Sequence, residues 1–403
     1  MKNVFDGVKI LEFAWILAGP LTSQYLAGHG ATVVKVESIS QPDMLRTSAP
    51  FKDGKPGLNR SGAFATINYN KYSMALNLNN PRAIEVARRL VLWADVVSEN
   101  FAPGRMEKWG LGYEDLRKIK PDIIMIRNSN QGQTGPQASR RGFGILLTSQ
   151  LGFNSVTGWP DRGPNTSYVG YTDFIAPHFA ATVLIAALLH RKKTGRGQCI
   201  DVSQAEAGIQ FLAPVFMDYA ANGRAEASTG NASPGAAPHG VYPCQGKDRW
   251  VAIAVSTDEE WRAFCRVLGD PDWTAQSKFS TLRARKQNED ELNRLVGAWT
   301  MNFSAEEVML LLQAAGVPAG VVQTIKDLYE DPQLNSRGHV WKLESDEMGL
   351  YPYMGNASIL SKTPPEPRMP APNLGEHTQL VCQEFLGMAD AEFVDYLSEG
   401  VFD

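Results

Sequence analysis

Residues 94–127 read ADVVSENFAPGRMEKWGLGYEDLRKIKPDIIMIR, and this stretch decides the fold. It opens with a short apolar run, Ala94–Ser98, that predicts a strand. A helix is predicted over Tyr113–Ile119, and the next apolar run, Ile123–Arg127, predicts a second strand. Strands that alternate with helices at this spacing form a mainly parallel sheet with helices on its faces. The stretch therefore predicts an α/β fold.

The same alternation continues in both directions along the chain. Further strands are predicted over Val8–Phe13, Ala31–Glu37 and Gln198–Ser203, and further helices over Leu21–Ala27, Asn80–Leu92, Phe174–Arg191 and Gln204–Tyr219. Asn79 or Asn80 is expected to cap the helix that has Pro81 in its first turn. The helix over Phe174–Arg191 is apolar almost all round, which predicts that it is deeply buried.

A change of composition over Asn222–Gly240 predicts a domain boundary, because GNASPGAAPHG is small, polar and rich in Gly and Pro. Beyond it the pattern predicts a hairpin, two helices, a strand and, after a proline-rich stretch, a closing helix. These elements are predicted at Gly240–Cys244 with Trp250–Val255, at Thr257–Leu268, from the capping box of Ser304 and Glu307 to Ala315, within GVPAGVVQT, and from Gly375 onward. The segment over roughly residues 225–325 is thus predicted to be a second, α+β domain.

Bulk properties exclude several classes of protein. A chain of 403 residues is expected to form two domains. A formal charge of −4 and a pI near 5.9 argue against a nucleic-acid binder. The longest predominantly apolar run, Phe179–Leu189, is about half of a bilayer span, and the N-terminal residues lack the core of a signal peptide. Four scattered cysteines without a CxxC pair suit reduced thiols. We expect a cytoplasmic protein that contacts no membrane.

Several motifs of cofactor and metal chemistry are absent from the sequence. It has no GxGxxG, GxxxxGK[ST], GxSxG or HExxH, and its six histidines show no metal-ligand spacing, so no metal site is predicted. Glu37 ends the second predicted strand, where a dinucleotide-binding oxidoreductase has an acid for the ribose. Without the glycine fingerprint, that reading is strongly disfavoured.

Asp173 is the most informative candidate residue. It lies in GYTDFIAP, directly before the predicted apolar helix, and an Asp at such a position usually does no more than cap the helix. A helix N-terminus also carries unpaired N–H groups and positive potential, which favour the ionised carboxylate. An ionised carboxylate beside an apolar helix is suited to covalent catalysis. Pro177 is expected in the first turn, where its missing N–H costs little.

The segment ENFAPG, Glu99–Gly104, is a second candidate, because loops at the carboxyl ends of parallel strands are where such folds bind ligands. The basic residues Arg105 and Lys108 follow it and suit phosphate groups. An ordinary strand-to-helix turn is an equally good interpretation of these residues alone.

Taken together in order, ten short segments make the chain similar to the class III coenzyme A transferases, the family of formyl-CoA and carnitine CoA-transferases. They are GVKILEFAWILAGP, ATVVKVES, NYNKYSMALNLN, ADVVSENFAPG, LGYEDLRKIKPDIIMIRNSNQGQTGP, VTGWP, the Asp173 segment, LLHRKKTGRGQCIDVS, GVPAG and LGEHT. The resemblance covers essentially the whole chain. It implies a Rossmann-like large domain, residues 1–220, a small domain, residues 225–330, and a return of residues 335–403 to the large domain. It also implies a dimer of interlocked rings.

The resemblance implies an activity and a set of contacts. Asp173 matches the family's nucleophile, which attacks the donor thioester to give an aspartyl-acyl anhydride and then an aspartyl-CoA thioester. Coenzyme A enters as a substrate thioester, and no permanently bound cofactor is implied. The implied CoA contacts are Leu17, Ala18, Leu76, Asn77, Leu78, Asn79, Asn100, Phe101, Lys108 and Arg141.

Three positions depart from the family pattern. Ser38 and Tyr72 stand where many members have Arg, and Gly144 stands where an Asp is common, so individual phosphate contacts are less secure than Asp173. The related acyl-CoA racemases use a His where this chain has Phe143, which disfavours racemisation. A non-catalytic partner subunit is disfavoured by Asp173, although a heteromer with this chain as the active subunit stays open.

The resemblance leaves the substrates open. Succinyl-CoA is a common donor in the family. Leu17 is apolar where oxalate-type enzymes are polar, and aromatic residues cluster in the motif segments: Phe143, Phe153, Trp159 and Tyr171. The hypothesis is an acceptor pocket for larger or aromatic acids.

Overall fold

The structure is a computed structural model that describes residues 3–403. The chain divides into two compact units. The first combines residues 1–153, 166–224 and 332–403, and the second combines residues 154–165 and 225–331. The second unit thus also contains residues 154–165, which the sequence predicts to belong to the N-terminal part of the large domain.

Strands form three sheets. In chain order they are β1 (Lys9–Glu12), β2 (Thr32–Glu37), β3 (Lys71–Ala75), β4 (Val96–Glu99), β5 (Ile124–Ser129), β6 (Cys199–Ser203), β7 (His239–Pro243), β8 (Trp250–Ala254), β9 (Ala319–Val321), β10 (Val340–Ser345) and β11 (Gly349–Met354). The first six make one parallel sheet in the order β3-β2-β1-β4-β5-β6. This is the doubly wound order of a Rossmann-like fold, so the predicted α/β class is confirmed.

Helices flank the sheets. They are α1 (Ala18–Gly28), α2 (Gly62–Asn68), α3 (Pro81–Trp93), α4 (Arg105–Lys108), α5 (Tyr113–Ile119), α6 (Gly144–Gln150), α7 (Phe153–Val156), α8 (Tyr171–Thr194), α9 (Gln204–Ile209), α10 (Ala213–Asn222), α11 (Asp258–Val267), α12 (Leu282–Gln287), α13 (Glu289–Thr300), α14 (Ala305–Ala314), α15 (Ile325–Tyr329), α16 (Pro332–Ser336), α17 (Thr378–Leu380) and α18 (Asp390–Ser398).

The central strands of the large sheet are buried on both faces, which explains the adjacent apolar residues within them. Successive residues of β1 point to opposite faces, and Ile10 and Leu11 are both fully buried. Leu11 packs in a core with α3 and α5, whereas Ile10 packs in a second core with α1 and α8. Strand β3 was not predicted, because its buried Lys71 and Ser73 interrupt the apolar pattern.

Two predicted helices differ from the structure. The helix predicted over Gln204–Tyr219 is interrupted by a 3₁₀ turn at Gln210–Leu212, because Pro214 cannot donate to the carbonyl of Gln210. Helix α8 is half-exposed in the single chain: Phe179 is 40% exposed and Leu189 52%, whereas Ala176 and Ala180 are buried. The predicted deep burial of α8 is therefore wrong for the single chain, because α1 and the sheet cover one side of it. By length and composition alone, α8 also qualifies as a membrane span.

The second unit is built around the antiparallel sheet β7-β8-β9. The predicted hairpin is confirmed, and so is the capping box, in which the Glu307 N–H donates to the Ser304 hydroxyl at 3.2 Å. Phe264, Val296 and Leu312 from three helices are fully buried against the sheet.

The segment from residue 332 contributes to the first unit in two ways. Strands β10 and β11 form a hairpin that packs on Tyr69. Residues 375–378 follow the edge of β3, where the His377 N–H donates to the Ser73 carbonyl at 2.9 Å and the Thr378 hydroxyl accepts from Ala75 at 3.0 Å. The closing helix predicted from Gly375 is instead a short α17, a π-helical turn over Val381–Phe385 and the separate α18.

Candidate active site

The candidate site lies where the strand order reverses, between β1 and β4. Both strands end there in a loop, and the Asn100 side chain joins the two loops. Its Oδ1 accepts the Trp15 N–H at 2.9 Å and its Nδ2 donates to the Trp15 carbonyl at 2.7 Å. Open α/β sheets bind ligands at this reversal of strand order. Asn100 therefore fixes the loop that leads into Leu17 and Ala18 at the start of α1.

A first cleft at the carboxyl ends of these strands contains five of the ten CoA contacts that the resemblance implies, Leu76, Asn77, Leu78, Asn79 and Phe101. Trp15 and Phe101 meet edge to face at 5.5 Å between ring centroids, and Phe101 meets Trp109 at the same distance. The residues around the cleft are Phe13, Trp15, Val36, Glu37, Ser38, Gln41, Leu76, Asn77, Leu78, Asn79, Phe101, Arg105 and Trp109. The Asn77 N–H donates to the Val401 carbonyl at 2.9 Å, which holds the Leu76–Asn79 loop.

A second cleft shares Phe101 and Arg105 with the first. It is lined by Asn100, Phe101, Ala102, Pro103, Arg105, Ser129, Asn130, Ala138, Ser139, Arg140, Arg141 and Gly142. Arg141, which the resemblance implies as a CoA contact, thus lines the same cleft as Asn100. Lys108 is exposed and lines neither cleft, whereas Arg105, one turn earlier on α4, lines both. The sequence pattern alone does not distinguish these two basic residues, because they share one face of a short helix.

A buried ion pair below the loop keeps Phe101 in place. Arg127 on β5 donates to Glu99 at 2.6 Å and to Glu107 at 2.7 Å. The second Glu99 oxygen accepts the Phe101 N–H at 2.7 Å. Burial raises the pKa of Glu99, and the bonds from Arg127 oppose this rise. Glu99 therefore connects the end of β4 to the loop that lines both clefts.

The sequence predicts Asp173 as the N-cap of α8, but in the structure Asp173 is the third residue of this helix. The N-cap is Gly170, because the Thr148 hydroxyl on α6 accepts the Tyr171 N–H at 3.1 Å and starts the helix three residues earlier than expected. Pro177 consequently lies beyond the first turn. Since Pro177 has no N–H, the Asp173 carbonyl receives no hydrogen bond from that residue.

Glycines surround the Asp173 carboxylate. The Gly144 N–H, at the start of α6, hydrogen-bonds to it. A Cβ at Gly144 would lie 2.1 Å from Asp173 Oδ2, and a Cβ at Gly170 would lie 2.8 Å from the same atom. Position 144 thus needs a residue without a side chain so that the backbone N–H can reach the carboxylate. The sequence alone does not reveal this requirement, because there Gly144 only differs from the Asp that is common in the family.

Burial controls the ionisation of Asp173. It raises the pKa of the Asp173 carboxyl from 3.8 to about 6, and the Gly144 hydrogen bond opposes this rise only in part. The Gly144 N–H favours the charged form, but desolvation outweighs this backbone contribution, so the pKa of Asp173 is raised overall. The carboxylate is nevertheless mainly ionised above pH 6, in a weakly hydrated environment.

Aromatic side chains gather around Tyr171, two residues before Asp173. Tyr171 meets Phe153 at 5.3 Å and Phe211 at 6.3 Å between ring centroids. Phe143 is 59% exposed, and Trp159 belongs to the second unit. The predicted aromatic cluster is therefore limited to Phe153 and Tyr171 in the first unit, with Phe211 added by the structure. Across residues 3–403, His, Cys, Asp and Glu side chains form no group that could hold a metal ion.

The chain is similar to known proteins in sequence and in fold. The sequence model of the family described as CoA-transferase family III matches residues 5–378. A succinyl-CoA–D-citramalate CoA-transferase of Chloroflexus aurantiacus is 32% identical over 385 residues, which cover 96% of this chain and 94% of that protein. A succinate–glutarate CoA-transferase of Agrobacterium fabrum is 33% identical, with 95% and 96% covered. The crystal structure of a CAIB/BAIF family protein from Brucella suis superposes with a TM-score of 0.87 at 31% identity, over 96% of this chain and 100% of that one.

Proposed function

The chain belongs to CoA-transferase family III, and from this premise we propose that it transfers coenzyme A from succinyl-CoA to a carboxylic acid through covalent intermediates on Asp173. The observation that carries the proposal is the partly buried Asp173 carboxylate, which accepts a hydrogen bond from the Gly144 N–H and whose pKa desolvation raises to about 6. A carboxylate of this kind is a reactive nucleophile, because little water must be displaced from it before attack.

The proposed reaction balances at each step. A carboxylate oxygen of Asp173 attacks the thioester carbonyl, the C–S bond breaks, and the products are an aspartyl-acyl anhydride and CoA thiolate. The thiolate attacks the aspartyl carbonyl, which releases the donor acid and leaves an aspartyl-CoA thioester. The acceptor carboxylate attacks this thioester to give a new anhydride and thiolate. The thiolate then attacks the acyl carbonyl, which yields the new acyl-CoA and free Asp173.

The proposed acceptor is a larger or aromatic acid. Support comes from the aromatic cluster of Phe153, Tyr171 and Phe211, in which Tyr171 lies two residues from Asp173, and from the apolar Leu17 at the N-cap of α1. The relatives named above act on citramalate and glutarate, so short dicarboxylic acids are the alternative acceptors.

A trapping experiment tests the nucleophile and the acceptor together. The purified chain is incubated with succinyl-CoA and then treated with hydroxylamine or borohydride, and the modified peptide is identified by mass spectrometry. We expect modification at Asp173. In parallel, phenylacetate and phenyl-substituted succinates are compared with glutarate and citramalate as acceptors. Modification elsewhere, or none with any acyl-CoA, contradicts the mechanism, whereas preference for the short dicarboxylates contradicts only the acceptor class.

We extend the proposal to the assembly: the chain forms an interlocked homodimer. The half-exposed apolar side of α8, with Phe179, Val183 and Leu189, supports a covered state, since exposed apolar patches mark interaction surfaces. Full activity of the purified chain alone would favour the homodimer over dependence on a paralogous subunit.

The proposed nucleophile predicts a pH dependence. Because the pKa of Asp173 is raised to about 6, only about a tenth of the carboxyl is ionised at pH 5. We expect kcat/KM to fall about tenfold per pH unit well below pH 6 and to level off above about pH 7. Steady-state rates from pH 4.5 to 8.5 measure this, with CoA binding by calorimetry as the control for loss of the CoA site. A flat profile down to pH 4.5 would exclude Asp173 as the ionising group.

A further inference from the structure

The loop between β1 and α1 contains a strained residue. Ile16 has a φ of 66°, in the left-handed region that β-branched residues rarely adopt. Such a conformation persists only where surrounding contacts enforce it, and it is concentrated at functional sites. Ile16 lies between Trp15, whose ring lines the first cleft, and Leu17, which precedes α1.

A buried carboxylate holds Ile16 in this conformation. Both oxygens of Asp43 lie 3.0 Å from the Ile16 nitrogen, and Oδ1 also accepts the Leu45 N–H at 3.0 Å. Asp43 is fully buried, and its Oδ2 lies 2.9 Å from Lys35 Nζ. Asn100 holds the preceding residue, Trp15, from the other side. The strained loop is thus fixed by two side chains from distant parts of the sequence.

Asp43 belongs to a cluster of four buried charges that balance one another. Lys35 also donates to the Ala14 carbonyl at 2.8 Å and lies 3.5 Å from Glu12. Lys71 donates to both Glu12 oxygens at 3.1 Å and to the Pro20 carbonyl at 2.8 Å. The four side chains of Glu12, Lys35, Asp43 and Lys71 are 0% exposed. The two cations, Lys35 and Lys71, therefore donate to the backbone carbonyls of Ala14 and Pro20, one on each side of Ile16.

Stability alone is a poor explanation for this cluster. Desolvating four charges costs about as much free energy as their attraction returns, and apolar replacements of such clusters are often at least as stable. Three backbone atoms that the cluster contacts, the Ala14 carbonyl, the Ile16 nitrogen and the Pro20 carbonyl, lie in the strained loop or in the first turn of α1 that follows it. The geometry of the cluster is that of a support which sets the shape of the loop.

We propose that Asp43 is a positioning residue, which holds Ile16 in its left-handed conformation and thereby sets Trp15 and Leu17 for binding of the acyl-CoA. The inference rests on the proposed function. Asp43 contacts no substrate and acts through the backbone of Ile16. The competing explanation is that Asp43 only stabilises the fold, by pairing with Lys35 and capping the 3₁₀ turn Met44–Thr47.

A double-mutant cycle separates the two explanations. Asp43→Asn is expected to raise the KM for succinyl-CoA about tenfold or more, with kcat changed less than about threefold, because the loop is displaced before the chemical step. Glycine adopts a positive φ freely, so Ile16→Gly removes the need for a support. In the Ile16→Gly background, Asp43→Asn should therefore raise KM by less than about threefold. The dissociation constant of CoA, measured by calorimetry, should follow the same pattern.

Asp95→Asn is the matched control. The Asp95 carboxylate also accepts a backbone N–H, from Lys9 at 2.8 Å, and a hydrogen bond from a cation, Arg191, at 2.8 Å. Asp95 precedes β4 and therefore lies at the amino ends of the strands, away from the loops at their carboxyl ends. We expect this variant to lose stability without a change in KM. Should Asp43→Asn not fold, Asp43→Glu keeps the charge facing Lys35 while displacing the oxygens from Ile16, and the same rise in KM is expected.

The outcomes are distinct. An unchanged KM in the Asp43 variants, or a rise of equal size in both backgrounds, overturns the positioning role while leaving the proposed function intact. If the unmodified chain neither binds CoA nor transfers it, the proposed function fails, and the role of Asp43 falls with it. A rise in KM that Ile16→Gly reduces supports the inference.

Discussion

Replacing Asp173 with Asn is expected to lower the rate of CoA transfer by about four orders of magnitude or more. An amide cannot form the anhydride or the thioester, so no covalent intermediate accumulates. The side chain keeps its size, and its Oδ1 can still accept the Gly144 N–H. Steady-state assays and mass spectrometry of the trapped protein measure the loss. Residual activity within about a hundredfold of the unmodified chain would mean that another group is the nucleophile.

The same substitution is expected to stabilise the protein. Because the folded-state pKa of Asp173 is raised from 3.8 to about 6, the folded protein favours the protonated carboxyl, and stability is lost as the pH rises from about 4 through 6. At pH 8 the ionised carboxylate costs about 3 kcal/mol relative to its unfolded state. Denaturant unfolding should show Asp173→Asn to be more stable at pH 8, by at most about this amount, with the difference shrinking towards pH 4. An unfolding free energy that is lower than that of the unmodified chain at pH 8 would contradict the assignment of a buried carboxylate.

Replacing Gly144 with Ala is expected to reduce kcat by about a hundredfold or more. The added methyl carbon would lie 2.1 Å from Asp173 Oδ2, so the carboxylate must move and its bond to the Gly144 N–H is lost. The backbone at Gly144 is otherwise compatible with Ala, because it begins helix α6. Helical content and unfolding should therefore change little compared with catalysis.

Gly163→Ala is the control for this substitution, since a Cβ at Gly163 meets no atom within 4 Å. It should leave kcat within about twofold of the unmodified value. A second check is the peptide trapped from Gly144→Ala with succinyl-CoA, in which modification of Asp173 should form slowly but at the same residue. Normal kcat in Gly144→Ala would show that the carboxylate does not need its present position.

The sequence predicts those features that are local. Short stretches rich in apolar residues locate five of the six strands of the large sheet, β1, β2, β4, β5 and β6, although Lys35 in β2 and Asp201 in β6 interrupt them. Strand β3 is not predicted from the sequence, because the buried Lys71 depends on an ion pair with Glu12, about sixty positions earlier in the chain. No local pattern reveals such a partner. The first residue of α8 is not predicted for the same reason, since it depends on the Thr148 hydroxyl of α6.

Sequence motifs select the candidate site residues, but they do not predict the ionisation of the site. Asp173 and the Asn100 loop follow from motif segments in order, and the structure brings Leu76–Asn79 and Phe101 into one cleft. The ionisation of Asp173 could not be predicted, because it depends on burial by residues from separate segments. Arg105 and Lys108 both suit phosphates by charge, and only the fold shows that Arg105 faces the clefts. Asp43 gave no sequence signal beyond its place in a polar loop.

The tie between Asn77 and Val401 has a consequence for how the molecule is made. The ribosome must translate the whole second unit, residues 225–331, before it reaches the residues that complete the edge of β3 and hold the Leu76–Asn79 loop. The N-terminal half of the large unit is therefore synthesised first, and one edge of its sheet stays unpaired while the second unit emerges from the ribosome. A messenger truncated between codons 174 and 401 yields a chain that contains Asp173, the proposed nucleophile, but whose loop beside the first cleft lacks its anchor.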